Sequence, residues 1–142
     1  MFMLPHHFET QLDSAGEPML VVCLDVTPAQ ARAAAHAVRV AREARYRPVE
    51  LSADDVLTMR EMTALADDLA DIGAGTGTDR LAATVARLGL LRAALDEHAA
   101  GEHLEREGDA EARPVVIALV DAVAELHAEA VRAALAGPGV AV

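Results

Sequence analysis

The chain has no lysine, no asparagine and no tryptophan, and all 12 of its basic residues are arginine. Lysine and asparagine are encoded by A-rich codons. Their absence marks a GC-rich coding sequence of the kind found in high-GC bacteria, and much of the alanine excess follows from the same bias. Aromatics are limited to Phe2, Phe8 and Tyr46, which make up 2% of the residues. Sites that grip sugars or single-stranded nucleic acid by stacking would have almost nothing to be built from. Cys23 is the only cysteine, which excludes an intrachain disulfide and fits a reducing compartment. It lies in an apolar run over residues 19–24, the setting of a small buried hydrophobe rather than of a reactive thiol. Serine occurs only at Ser14 and Ser52, in turn and helix-start positions, so no Ser-His-Asp arrangement can be composed. No apolar run reaches the length of a bilayer span, and no basic segment followed by an apolar stretch opens the chain. The expected location is the cytoplasm.

With 142 residues the chain reads as a single domain over 1–142, long enough to bury a core without staples. The net charge is −11, which repels anionic membranes and nucleic acid alike. Residues 8–12 alternate apolar and polar, turn chemistry follows at Gly16 and Pro18, and residues 19–26 form a nearly continuous apolar run. These features predict a β-hairpin. Thr27-Pro28 predicts a helix start, and the helix runs to about Arg45, before Tyr46-Arg47-Pro48. A short strand is considered over 49–51. Ser52 with Asp55 predicts the next helix start, with Val56, Met59, Met62, Leu65, Leu69 and Ile72 as its apolar stripe and Gly73 as its stop. A third helix is expected from Thr78 or Asp79, with Leu81, Val85, Leu88, Leu91 or Arg92, and Leu95 as its stripe and Gly89 as a weak point. Residues 101–113 read as an exposed acidic loop and residues 1–7 as a mobile tail. The last helix is expected from Pro114 through Leu135, with a strand over 115–120 as the less favoured alternative. The fold class is α+β, mainly helical, with an N-terminal β-hairpin followed by about four helices packed as a bundle.

The charge is unevenly placed. Residues 27–47 carry five arginines against one acid, in a chain that is otherwise strongly acidic. Arg32, His36, Arg39 and Arg42 are therefore candidate contacts for an acidic partner or an anion. Internal pairing with the protein's own acids is the competing explanation. Cys23, Met59 and Met62 are candidates to line a pocket between the hairpin and the first two helices. His98, Glu102 and His103 are the weak metal-ligand candidates. Gly101 is expected to end the helix between His98 and Glu102, so no metal centre and no cofactor are assigned.

Two further motifs are read as ordinary structure. Asp67, Asp68 and Asp71 match the spacing of the magnesium-binding aspartate-rich motif of prenyl-diphosphate enzymes. The chain is too short for that fold and lacks both a second acidic motif and the aromatics of a carbocation pocket, so they read as a solvated helix face. Residues 73–77 are glycine-rich but follow a helix and lack the lysine of a phosphate loop, so they read as a connector.

The leading functional expectation is a non-catalytic cytoplasmic protein that acts by association, as a homodimer or with a protein partner. The alternative is a small-molecule binding protein or enzyme with a pocket between hairpin and helices. A second alternative is a DNA-binding regulator, which the net charge and the missing aromatics oppose.

Overall fold

The structure, a computed structural model, describes residues 3–45, 51–75, 79–101 and 105–136. Strands β1 (His6–Leu12) and β2 (Pro18–Asp25) form the hairpin, with Phe8 opposite Val22. The Asp13 carboxylate shapes the turn by accepting from the N–H groups of Ala15 and Glu17, both at 2.9 Å. Helices α1 (Pro28–Arg45) and α2 (Ala53–Gly73) follow, then strand β3 (Arg80–Thr84) and helices α3 (Val85–Ala100) and α4 (Asp109–Ala136).

The sheet is antiparallel with β2 between β1 and β3. Val22 and Leu24 of β2 join Leu81 and Ala83 of β3 in the common core. Cys23 alternates to the other face, where it is buried near His7 and Glu9. The starts of the first two helices carry reciprocal caps. Gln30 N–H donates to Thr27 Oγ1 while Thr27 N–H donates to Gln30 Oε1, and Ser52 and Asp55 make the same exchange.

Helix α1 is the hub of the molecule. Ala31, Ala33, Ala34, Ala35, Ala37, Val38, Val40 and Ala41 are all buried, against α2, α3 and α4. The small side chains let three helices approach one. The alanine-rich surface of α1 is thus covered from within this chain.

The structure departs from the sequence reading in several places. Residues 80–84 form a strand rather than the start of a helix, because β2 has a second edge of backbone groups to satisfy and Leu81 and Ala83 alternate inward against it. Thr84, not Thr78 or Asp79, caps α3, accepting from Arg87 N–H at 3.2 Å. Helix α4 begins at Asp109, so residues 109–113 are helical and not loop, and Pro114 lies inside the helix. Residues 115–120 are helical as well, which removes the strand alternative. Leu135, near the end of α4, is exposed. Of the tail read over 1–7, residues 1 and 2 lie outside the described residues and residues 4–7 are anchored: Leu4 is buried, Pro5 C=O accepts from Asp25 N–H at 2.8 Å, and His6 and His7 belong to β1. Of the strand considered over 49–51, Val49 and Glu50 lie outside the described residues and Leu51 is in no strand. No helix among the described residues is long and apolar enough to cross a membrane.

Candidate functional site

Three helices bring His36, His98 and Asp109 together. His36 sits in the middle of α1. His98 lies in the last turn of α3, after which Gly101 turns the chain with φ 66° and donates its N–H to His98 C=O. Asp109 opens α4, held by its own N–H to Arg106 C=O at 3.1 Å. Residues 98 and 109 meet across the α3–α4 connection, and α1 supplies the third member from 73 residues earlier.

Asp109 and His98 are fully buried, with side chains 0% and 1% exposed, whereas the His36 side chain is 25% exposed. His36 Nε2–H donates to Asp109 Oδ1 at 2.6 Å, and His98 Nε2–H donates to the same oxygen at 3.2 Å. The second oxygen, Oδ2, accepts from Arg106 N–H at 2.7 Å. The two imidazoles stand edge to face with centroids 5.5 Å apart. Burial alone pushes the Asp109 carboxyl up. The hydrogen bonds from His36, Arg106 N–H and His98 outweigh it and hold the group well below the usual carboxylate range. The carboxylate is therefore ionised and acts as an acceptor only.

One ligand atom from each residue lies within 4.8 Å of the other two. Beyond His36 the cluster opens into a groove of about 340 Å³ between α1 and the first turns of α4. Its walls are the short side chains of Ala29, Ala33, Ala112 and Val115, with Arg32 and Glu111 as its charged groups. Gly108 borders it with φ 92°, and a β-carbon there would stand 3.1 Å from His36 Cε1. The glycine thus meets a backbone requirement and a spatial one together.

The basic residues singled out on α1 have separate fates. Arg32 donates to Gly73 C=O at 2.9 Å and Arg42 donates to Thr63 Oγ1 at 2.8 Å, both within the molecule. Arg45 pairs with Glu97, and Arg39 is exposed. His36 is drawn inward to Asp109 rather than displayed on the stripe. Met62 is in the helical core, Met59 is half-buried on α2, and Cys23 lies on the far face of the sheet. Of the weak metal candidates, His98 belongs to the cluster, while Glu102 and His103 lie outside the described residues.

A second grouping of His7, Glu9 and Cys23 also brings three ligand atoms within 4.8 Å. His7 Nε2 already bonds Glu9 Oε1 at 2.9 Å, and burial, with Glu9 beside it, pushes the Cys23 thiol up. A thiol held protonated is a poor ligand, since the thiolate is the form that binds metal.

Asp109 carried no signal in the sequence, because one aspartate among many acids has no local mark. Its role comes from tertiary contacts alone.

No protein-family model matches this chain, and neither a curated protein nor a solved structure does.

Proposed function

We propose that this protein is a small metalloprotein in which His36, His98 and Asp109 hold one divalent transition-metal ion. The observation that carries the reading is the convergence of two imidazole nitrogens and one carboxylate oxygen within 4.8 Å, two of the three residues being fully buried. Tetrahedral coordination with bonds of about 2.0–2.1 Å separates ligand atoms by about 3.3 Å. The 3.2 Å between His98 Nε2 and Asp109 Oδ1 fits as it stands. The 2.6 Å between His36 and Asp109 has to widen, by about 0.7 Å on the same bond lengths. His36 is the half-exposed member and is the one free to move toward the groove.

The donor set selects the metal. Two nitrogens and one oxygen suit zinc or iron(II), whereas magnesium and calcium want oxygen ligands throughout. Each imidazole would hold the ion through Nε2, with its proton on Nδ1. Arg106 N–H on Oδ2 fixes the orientation of the carboxylate, as hydrogen-bonded groups behind metal ligands do. Three protein ligands leave a coordination position open, and the groove is the side from which it is reached.

The test is metal content. The full chain, stripped by chelator and then exposed to zinc or cobalt(II), should retain one ion per chain after gel filtration. His36→Ala, at the half-exposed position, should lower retention to a small fraction with the circular dichroism unchanged. A stripped protein that retains no ion, or an unaffected His36→Ala variant, would overturn the reading.

A second reading is association of two copies in a cytoplasmic setting. It is supported by Pro114, Ile117 and Ala118, which form an exposed apolar stripe at helical spacing on α4. Light scattering at micromolar concentration should then give twice the chain mass, and Ile117→Asp should halve it. A monomer mass for the unaltered chain ends this reading.

A further inference from the structure

We propose that the groove beside His36 takes a small aliphatic monocarboxylate, its carboxylate on the open metal position and Arg32, its chain against Ala33, Ala112 and Val115. The inference rests on the metal reading above and adds the class of ligand to it.

Access comes first. His36 is the most exposed of the three residues and lines the groove, so the groove offers a ligand a way to the ion past His36. The volume of about 340 Å³ lies at the small end of the range for small-molecule sites, and the walls are alanine and valine. Such walls leave room for a short aliphatic body and offer no aromatic face for a planar ring to stack on.

Charge then selects the head group. Arg32 gives one Nη to Gly73 C=O, and a guanidinium has five N–H donors, so donors remain for a carboxylate. The first turn of α4, a helix of 28 residues, borders the same groove and favours negative charge there. A divalent ion, Asp109, Arg32 and Glu111 together leave one net positive charge. A monoanion cancels it. A phosphate dianion overshoots and meets Glu111 as a like charge. Glu111 is thereby assigned a selective role against dianions.

Cobalt(II)-loaded full-length protein supplies the assay, because cobalt's visible absorption reports its ligands. Butyrate should shift the band saturably, and phosphate at equal concentration should leave it unchanged. Arg32→Ala should weaken butyrate about tenfold while still holding one cobalt per chain, the loss expected of one charge-assisted contact. Glu111→Gln should narrow the gap between butyrate and phosphate. The cobalt content of each variant, with its circular dichroism, separates a lost contact from a lost fold. One cobalt per chain with a band that butyrate does not move, or phosphate binding as well as butyrate, overturns this inference and leaves the metal reading standing. Failure to bind cobalt overturns both.

Discussion

Gly108 lies directly beneath the imidazole of His36, so close that a β-carbon at that position would stand 3.1 Å from Cε1 and 3.4 Å from Nδ1. Gly108→Ala therefore does two things. It forces a left-handed backbone, φ 92°, on a residue with a side chain, at about 1–2 kcal/mol. It also pushes the ring away from Asp109. The expected result is a lower urea midpoint together with weaker zinc retention. A variant that loses stability but keeps full metal affinity would show that the ring is not displaced.

Asp109 is the shared acceptor of two imidazole N–H groups and one backbone N–H. Asp109→Ala leaves buried donors without an acceptor, which costs about 3 kcal/mol. The acid limb of stability follows from the same bonds. The carboxyl is held below its ordinary value of 3.8 in the folded chain, so its stabilising contribution is complete above that value and is lost as the pH falls beneath it. Asp109→Asn should flatten that limb. Urea titrations between neutral pH and pH 3 measure both effects.

Gly89 stands in the same relation to His127, with Nε2 3.0 Å from where a β-carbon would be. In an exposed helix, Gly→Ala stabilises by about 1 kcal/mol. At this position the gain is cancelled while His127 is present, and it returns once the ring is removed. Gly89→Ala should be neutral or destabilising alone and stabilising in a His127→Ala background. A double-mutant cycle with a coupling near zero would contradict this.

His127 also predicts a pH effect of its own. Burial lowers its affinity for a proton, and Arg92, whose Nη1 lies 3.3 Å from Nδ1, lowers it further. The unfolded chain takes up that proton near 6.5 while the folded chain resists, so stability falls as the pH drops below 6.5. Above that value the residue is neutral in both states and contributes no slope. His127→Gln should reduce the loss of stability between pH 7 and pH 5, as read from thermal midpoints.

The parts of this fold legible in the sequence are those with local causes. The hairpin follows from alternation and a turn built on Asp13 and Gly16, and the starts of α1 and α2 from Thr27 and Ser52 as caps. Strand β3 was not legible, since Arg80-Leu81-Ala82-Ala83-Thr84 has weak strand propensity and exists because β2 offers it an edge. The start of α4 was misread for a related reason. Pro114 looked like a first helical residue, yet Asp109, anchored by three hydrogen bonds to its carboxylate, begins the helix earlier. His98 was visible as a candidate ligand, and His36 only as part of a charged stripe. Neither could be matched to Asp109, since distance along the chain says nothing about which of many acids will be sealed between them.

The burial of α1 by three other helices has a consequence for synthesis. The alanine-rich segment leaves the ribosome well before the helix that closes over His36 is made. Until α4 emerges, the growing polypeptide carries a sticky hub with one side uncovered. Stalling the nascent chain before residue 109 should give a species that recruits chaperones, and release past residue 130 should free it.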